Sequence, residues 1–338
     1  MRRRLTSVAC LALLMGCSDE PGDGGEDSGA VDGAAGRNVQ LLLTTGYEAC
    51  IIDGLGDVHC LQADNGELLN MGDGWLSGDH NFIAGSAGQT GLCLIDDPDG
   101  DGTGDLLCSR LNDARFQDTP DTYAGDFVQV GGTSDADVCG LDAAGAITCF
   151  ESWGDNLDDQ LDSPPVGPFD TVYAYGASSF SIVCGVDAAG GASCIGGGVA
   201  YERAIETCPL PASGVVDIAT GVGVAVLLED GSIVGWKHGF PTVKEDCFSE
   251  PPSDAYAVEL VENALCTLQP GGSPSCRVID SEGETGLVDD VPAGAFVDLS
   301  SYGSFGEFAC VLAATDDITC WGPGWEGPAT FNFGDLLE

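Results

Sequence analysis

Short apolar runs alternate with turn residues along most of the chain, in units that share one internal form. Residues 139–149, CGLDAAGAITC, show it plainly. The segment Ala143-Ala144-Gly145 predicts a three-residue hairpin loop, a type I turn whose last residue is left-handed. Glycine suits that position because it has no Cβ; the last unit carries Asp316 there, a tolerable substitute. Counting outward from the turn pairs Leu141 with Ile147 and Cys139 with Cys149. Strand side chains alternate, so all four share one face. Ile52 with Val58, Ile95 with Leu106, Leu227 with Ile233 and Leu312 with Ile318 repeat the pattern, and this face is the expected core. Upstream lie further alternating stretches, FVQVGG, TVYAYG, VVDIAT and FVDLSS, each predicting another strand. A less regular stretch after the second Cys supplies a fourth. No helical periodicity stands out after the first sixteen residues.

The cysteine spacing sets the period. Cys50/Cys60, Cys139/Cys149, Cys184/Cys194, Cys266/Cys276 and Cys310/Cys320 are each ten apart, and Cys93/Cys108 is the same unit with five residues inserted. The first Cys of each unit falls at 50, 93, 139, 184, 266 and 310, which leaves a double gap after 184. Residues 225–235, AVLLEDGSIVG, fill it, with Ala225 and Gly235 at the two Cys positions. Two small residues replace two Cys together, as expected of positions that touch. Seven units of about four short strands predict an all-β fold, a single seven-bladed β-propeller over residues 38–338. Paired Cys without CxxC spacing in an exported chain favour disulfides over zinc thiolates. Cys208 and Cys247 flank the unit that lacks its own bridge and are expected to join each other. The tail residues Phe331 and Phe333 look like a strand that seals the first blade.

The first 37 residues have another character. Arg2, Arg3 and Arg4 precede an apolar run from Val8 to Met15, too short to span a bilayer. The run ends in Leu14-Met15-Gly16-Cys17, which resembles the lipobox of bacterial lipoproteins. That resemblance implies a signal peptide over 1–16 and lipidation of Cys17. Several acyl chains, at about 0.8 kcal/mol per buried methylene, anchor a protein without a spanning helix. Residues 17–37 are polar and Gly-rich, the composition of a flexible tether. By the enterobacterial sorting pattern, Ser18 implies the outer membrane, facing the periplasm or the exterior.

Charge narrows the partners. Loss of the signal leaves seven basic residues against 55 acids, a formal charge of −48. A nucleic-acid partner is excluded, since phosphate binding needs a basic footprint. The chain is still 43% hydrophobic, enough for a large core.

The repeat resembles that of the regulator of chromosome condensation family, which includes the type II β-lactamase inhibitor protein. Cys139-Gly-Leu141, Gly145 and Cys149 followed by Trp153-Gly154-Asp155-Asn156 and Gln160-Leu161 carry the likeness. Cys320-Trp321-Gly322 and Asn65-Gly66-Glu67-Leu68 add fragments of it, while most units lack the full tail. The resemblance implies a seven-bladed propeller that binds proteins.

Chemistry-bearing motifs are few. Asp97, Asp99, Asp101, Gly102 and Asp105, with the Thr103 carbonyl, supply hard oxygen ligands in a D-x-D-x-D-G-x-x-D pattern. The pattern resembles the calcium loops of integrin-type propeller blades and implies a structural Ca2+. Cys108 stands where an EF-hand has its bidentate Glu. His59, His80 and His238, the only His residues, sit in no metal or triad spacing. Asp158-Asp159 and Asp289-Asp290 read as surface charge. Trp75, Trp153, Trp321 and Trp325 are candidate loop aromatics, with Trp321 better explained by packing. The expectation is a monomeric, non-catalytic envelope protein that binds a protein or other envelope partner through its propeller loops. The alternative is an envelope hydrolase or lyase with its site at the central channel.

Overall fold

The computed structural model describes residues 39–332 apart from connecting segments, the longest being 63–66, 68–75, 111–119, 133–136, 152–163, 197–204, 239–244, 280–287, 303–307 and 323–326. The expected signal peptide, tether and Cys17 therefore lie outside the described residues, as do Trp75, Trp153, Trp325, Phe333 and the 153–161 tail motif.

Blade 1 comprises β1 (Val39–Thr44), β2 (Glu48–Asp53) and β3 (Val58–Gln62). Blade 2 comprises β4 (Phe82–Ala87), β5 (Gly91–Asp96) and β6 (Gly104–Arg110). The long strand β7 (Asp121–Gly131) serves two blades. Its first half pairs with β6, with Thr122 opposite Leu107. Its second half pairs with β8 (Asp137–Asp142), which pairs with β9 (Ile147–Glu151), completing blade 3. Blade 4 holds β10 (Thr171–Ala177), β11 (Phe180–Val186) and β12 (Ala192–Gly196). Blade 5 holds β13 (Val215–Thr220), β14 (Gly223–Leu228), β15 (Ile233–His238) and β16 (Glu245–Glu250). Blade 6 holds β17 (Ala257–Val261), β18 (Ala264–Leu268) and β19 (Pro274–Val278). Blade 7 holds β20 (Phe296–Tyr302), β21 (Phe308–Ala313), β22 (Asp317–Trp321) and β23 (Ala329–Asn332). The described pairings are all antiparallel. A short helical turn at 205–207, which the sequence pattern does not announce, leads into Cys208.

The inner strands touch in a closed cycle, β1 to β4, β7, β10, β13, β17, β20 and back to β1. Each contact between successive blades holds its own apolar cluster. In blade 5, Ala225, Leu227 and Ile233 pack toward blade 6, while Val224, Val226 and Trp236 pack toward blade 4. The face that bears the Cys positions is thus half of the core. Middle strands are buried on both sides, which is why β5 and β14 read as nearly continuous apolar runs. Each hairpin Cys pair sits directly opposite in the ladder, as in Cys50 with Cys60 and Cys266 with Cys276, and Ala225 faces Gly235 in the same register.

Ring closure departs from the expected route. The tail strand β23 pairs with β22 as the outer strand of blade 7, so it adds no strand to blade 1. Closure comes instead from packing. Phe308, Leu312 and Ile318 of blade 7 pack with Leu42, Ile51 and Leu61 of blade 1, and Phe331 borders that cluster.

The turn glycines also hold blades in series. The carbonyl of Gly145 accepts the N–H of Phe169 at the foot of blade 4, at 2.9 Å. Gly56 serves Phe82, Gly190 serves Val215, Gly231 serves Ser253 and Gly272 serves Phe296 in the same way. At Gly145 the φ of 83° and a Phe169 carbonyl oxygen 2.7 Å from where a Cβ would lie both exclude a side chain. Asp316, at φ 64°, ends the last blade's hairpin.

Candidate functional site: an acidic belt on the inner strands

An inner strand is the edge of its blade, so one row of its backbone groups has no strand partner. This chain supplies the partners from side chains of the neighbouring blade. In five blades the inner strand carries a register shift at one point, between Val39 and Leu41, Phe82 and Ala84, Phe127 and Gln129, Val215 and Asp217, and Phe296 and Asp298. A bulge re-aims the residue beside it. The residues after the shift are Leu41, Ala84, Gln129, Asp217 and Asp298, and three of these five reach the next blade.

The contacts run from blade to blade. Gln129 Oε1 accepts the Val172 N–H at 3.2 Å, and its Nε2 donates to the Val172 carbonyl at 3.2 Å. Asp217 Oδ2 accepts the Val258 N–H at 3.0 Å. Its Oδ1 accepts the Tyr173 hydroxyl of blade 4 at 3.1 Å and the Ile218 N–H at 2.9 Å. The Ser301 hydroxyl donates to Glu259 Oε2 at 3.0 Å. Asp298 Oδ1 accepts the Leu299 N–H at 2.9 Å, and Oδ2 accepts the Leu42 N–H at 3.4 Å, joining the last blade to the first. Thr44 and Ser300 hydroxyls lie 3.1 Å apart at the same junction.

Burial between blades suppresses ionisation here. It pushes Asp298 up to about 6, against the lowering effect of the Leu299 and Leu42 amides. Glu259 is held well above the usual carboxylate range, by burial first and then by the charges of Asp217 and Asp298. Asp217 is also raised by burial, opposed by the Val258, Tyr173 and Ile218 hydrogen bonds. The Tyr173 phenol is pushed well above its ordinary value by burial and by Asp217. Such values suit proton transfer in a cleft. The oxygens of Asp217 and Asp298, however, are already committed to amides and a phenol of neighbouring strands. The first work of this belt is to brace the ring.

The sequence-predicted site residues fall elsewhere. Disulfides join Cys50–Cys60, Cys93–Cys108, Cys139–Cys149, Cys184–Cys194, Cys266–Cys276 and Cys310–Cys320 within blades. Cys208–Cys247 joins the segment before blade 5 to its outer strand, at a Cα–Cα distance of 5.7 Å. An apolar cavity of about 160 Å³ beside this bridge is lined by Leu210, Trp236 and Phe248 among others. Trp236, which sequence reasoning passed over, is fully buried there.

In the long blade 2 loop, Asp97 is buried and serves the loop's own backbone. Its Oδ1 accepts the Gly100 and Asp101 amides at 2.8 and 3.1 Å, and Oδ2 accepts Gly102 at 2.8 Å. Asp142 and Asp187 brace the shorter turns in the same manner. Asp101 bonds the Thr103 amide and hydroxyl, and Asp105 bonds the Gly125 amide. The structure does not gather three of these loop carboxylates into one ligand group.

His80 Nδ1 lies 2.6 Å from Asp96 Oδ2, and its ring stacks on Phe82. His59 lies in β3, and His238 ends β15. Trp321 is fully buried against blade 6. Among the described residues, the exposed large apolar side chains are Leu55, Val166, Val278 and Val297, spread over separate blades.

No protein-family model matches the chain, and no curated protein matches its sequence. Solved structures do match in shape. The computationally designed Ika8 protein is 14% identical over 89% of each chain, with a TM-score of 0.50. A prolyl endopeptidase is 12% identical over 89% of this chain and 50% of its own, with a TM-score of 0.52. Prp20p of Saccharomyces cerevisiae is 12% identical over 88% of this chain and 77% of its own, at 0.42. The likeness is one of fold.

Proposed function

We propose that this protein is a non-catalytic, lipid-anchored envelope module that binds a protein or other envelope partner through its propeller loops. The observation that carries the reading is the use made of the inner belt. Gln129, Asp217 and Asp298, which an active site at the channel would need free, bond the backbone of the next blade. The Leu14-Met15-Gly16-Cys17 pattern and the seven disulfides support an exported, anchored chain. The repeat's resemblance to the regulator of chromosome condensation family supports protein binding. A structural calcium ion at Asp97, Asp99, Asp101 and Asp105 with the Thr103 carbonyl belongs to the same proposal, and binding it would draw together carboxylates that the structure leaves apart.

The envelope hydrolase or lyase remains the second reading, favoured by the raised pKa values of Asp298 and Glu259, which keep a proton available near neutral pH. Cross-linking of the mature chain in its native envelope, followed by mass spectrometry, separates the two. Binding predicts a stoichiometric cross-linked partner through loop residues. Turnover of envelope glycans or peptides that Asp298→Asn abolishes, with no such partner, overturns it. Labelled fatty acid incorporated into the chain and lost in Cys17→Ser tests the anchor.

A further inference from the structure

We propose that Asp53, Asp57 and His59, on the β2–β3 hairpin of blade 1, bind one divalent transition-metal ion of the zinc class. Among the described residues these three form a group whose ligand atoms all lie within 4.8 Å of one another.

The carboxylate of Asp53 has two separate tasks. Its side chain has no exposed surface. Oδ1 accepts the amides of Leu55 and Asp57 at 2.9 and 3.0 Å, which fixes the carboxylate plane. Oδ2 is thereby held 3.5 Å from His59 Nε2. Two ligands at about 2.0–2.1 Å from a tetrahedral ion stand roughly 3.4 Å apart. The pair therefore already spans one edge of a zinc coordination polyhedron. Asp57 supplies the third ligand from the other end of the turn. Asp57 and His59 are both partly exposed, which gives the ion an entry path and leaves a fourth position for water or a donor from a partner.

The hairpin that carries them is rigid. Asp53 N donates to the Asp57 carbonyl and Gly56 N to the Asp53 carbonyl, both at 2.9 Å. Phe82 N holds the Gly56 carbonyl at 3.2 Å, and Cys60, next to His59, is tied to Cys50. Ligand carboxylates oriented by such hydrogen bonds bind metals more tightly.

The other hairpins of the chain mark what is special here. Asp142 and Asp187 brace their turns as Asp53 does, through one oxygen. At the positions of Asp57 and His59, however, those blades carry Ala146 with Thr148 and Gly191 with Ser193. Blades 5 and 6 carry Ser232 with Val234 and Ser273 with Ser275. Blade 7 has Asp317 but lacks both partners, with Ala313 and Thr319 in their places. The turn needs only the first Asp. Among the described residues, a second carboxylate and an imidazole come within 4.8 Å of each other and of the first carboxylate only in this hairpin. A nitrogen donor beside carboxylates selects zinc-like ions over calcium or magnesium.

The test is calorimetric titration of the mature chain with Zn2+ in a large excess of Mg2+, which masks the oxygen-only surface acids. Co2+ absorption provides a second, spectroscopic readout. The expected result is one site per chain, weakened at least tenfold by His59→Gln and by Asp57→Asn and unchanged by His80→Gln. Co2+ broadening confined to the His59 ring signals in the NMR spectrum of the wild-type chain keeps the proposal testable if either variant misfolds. Binding that survives both variants, or broadening at His80 or His238 instead, overturns it, as does absence of binding above the Mg2+ background.

Discussion

Asp298 in the last blade accepts the backbone N–H of Leu42 in the first at 3.4 Å, across 256 residues of sequence. The same carboxyl is pushed up to about 6 by burial, and Glu259 and Asp217 nearby are raised as well. A carboxyl whose folded pKa lies above its unfolded value binds its proton more tightly in the folded state. Its contribution is full near pH 4 and below, and is lost as pH rises through 6. For Asp298 alone the loss by pH 7 is about 3 kcal/mol. Urea unfolding of the mature chain between pH 4 and 7.5 should therefore show stability falling with pH. Self-repulsion of a chain with 55 acids acts in the same direction, so the variant decides. Asp298→Asn should reduce the slope between pH 4 and 6, and a slope left intact would place its origin in groups other than Asp298.

The turn glycines allow a paired comparison. Gly145→Ala puts a Cβ 2.7 Å from the Phe169 carbonyl oxygen and forces an L side chain to φ 83°. The expected cost is about 2–4 kcal/mol. Asp316, at φ 64°, already tolerates a side chain in the equivalent turn. Asp316→Gly should change stability by less than about 1 kcal/mol. Equal effects in the two variants, read from chemical denaturation, would show that blade docking adds nothing to the turn's own preference.

The blade 2 loop separates two roles for its acids. Asp97→Ala leaves the amides of Gly100, Asp101 and Gly102 without their acceptor and should destabilise by about 1–3 kcal/mol with or without calcium. Asp99→Asn should leave apo stability unchanged, because Asp99 is exposed. It should instead weaken the calcium response, expected in the range of about 10⁻⁴–10⁻³ M typical of extracellular modules. Calcium titration followed by amide exchange of residues 98–104 reads both effects. A calcium response that Asp99→Asn leaves intact rules out the loop as its site.

The blade register was legible because the fold places both Cys of a unit in one cross-strand pair. Spacing thus located six hairpins, and the gap it left pointed to the seventh, with Ala225 opposite Gly235. Local chemistry was legible for the same reason at Gly145, whose turn lies between paired strands. What the sequence did not disclose are relations between units. Val224 and Val226 pack toward blade 4 while Ala225 and Leu227 pack toward blade 6, yet all four read as one apolar run. Asp217 and Asp298 look like ordinary polar alternates in VVDIAT and FVDLSS. Their partners, Val258 and Leu42, are 41 and 256 residues away and offer only backbone amides, which leave no residue signature. His59 sits in no metal spacing in the sequence, since Asp53 comes within 3.5 Å of it only across the folded turn.

Blade 5 shows what the missing hairpin bridge is replaced by. Cys208–Cys247 spans 39 residues, whereas the common hairpin bridge spans ten. Loop-closure entropy then assigns about 4 kcal/mol to the long bridge and about 3 kcal/mol to the short one. Cys208→Ser with Cys247→Ser should therefore cost more than Cys139→Ser with Cys149→Ser, by about 1 kcal/mol, in urea titrations under oxidising conditions. Rebuilding the hairpin bridge with Ala225→Cys and Gly235→Cys should not restore the loss. A Cβ at Gly235 runs into the Val224 carbonyl and lies 3.0 Å from the Phe248 ring, so the strand cannot take the side chain without moving. Recovery of full stability in that four-residue variant would show that the small pair at 225 and 235 is a vacant disulfide slot, and that the packing of Phe248 against it is incidental.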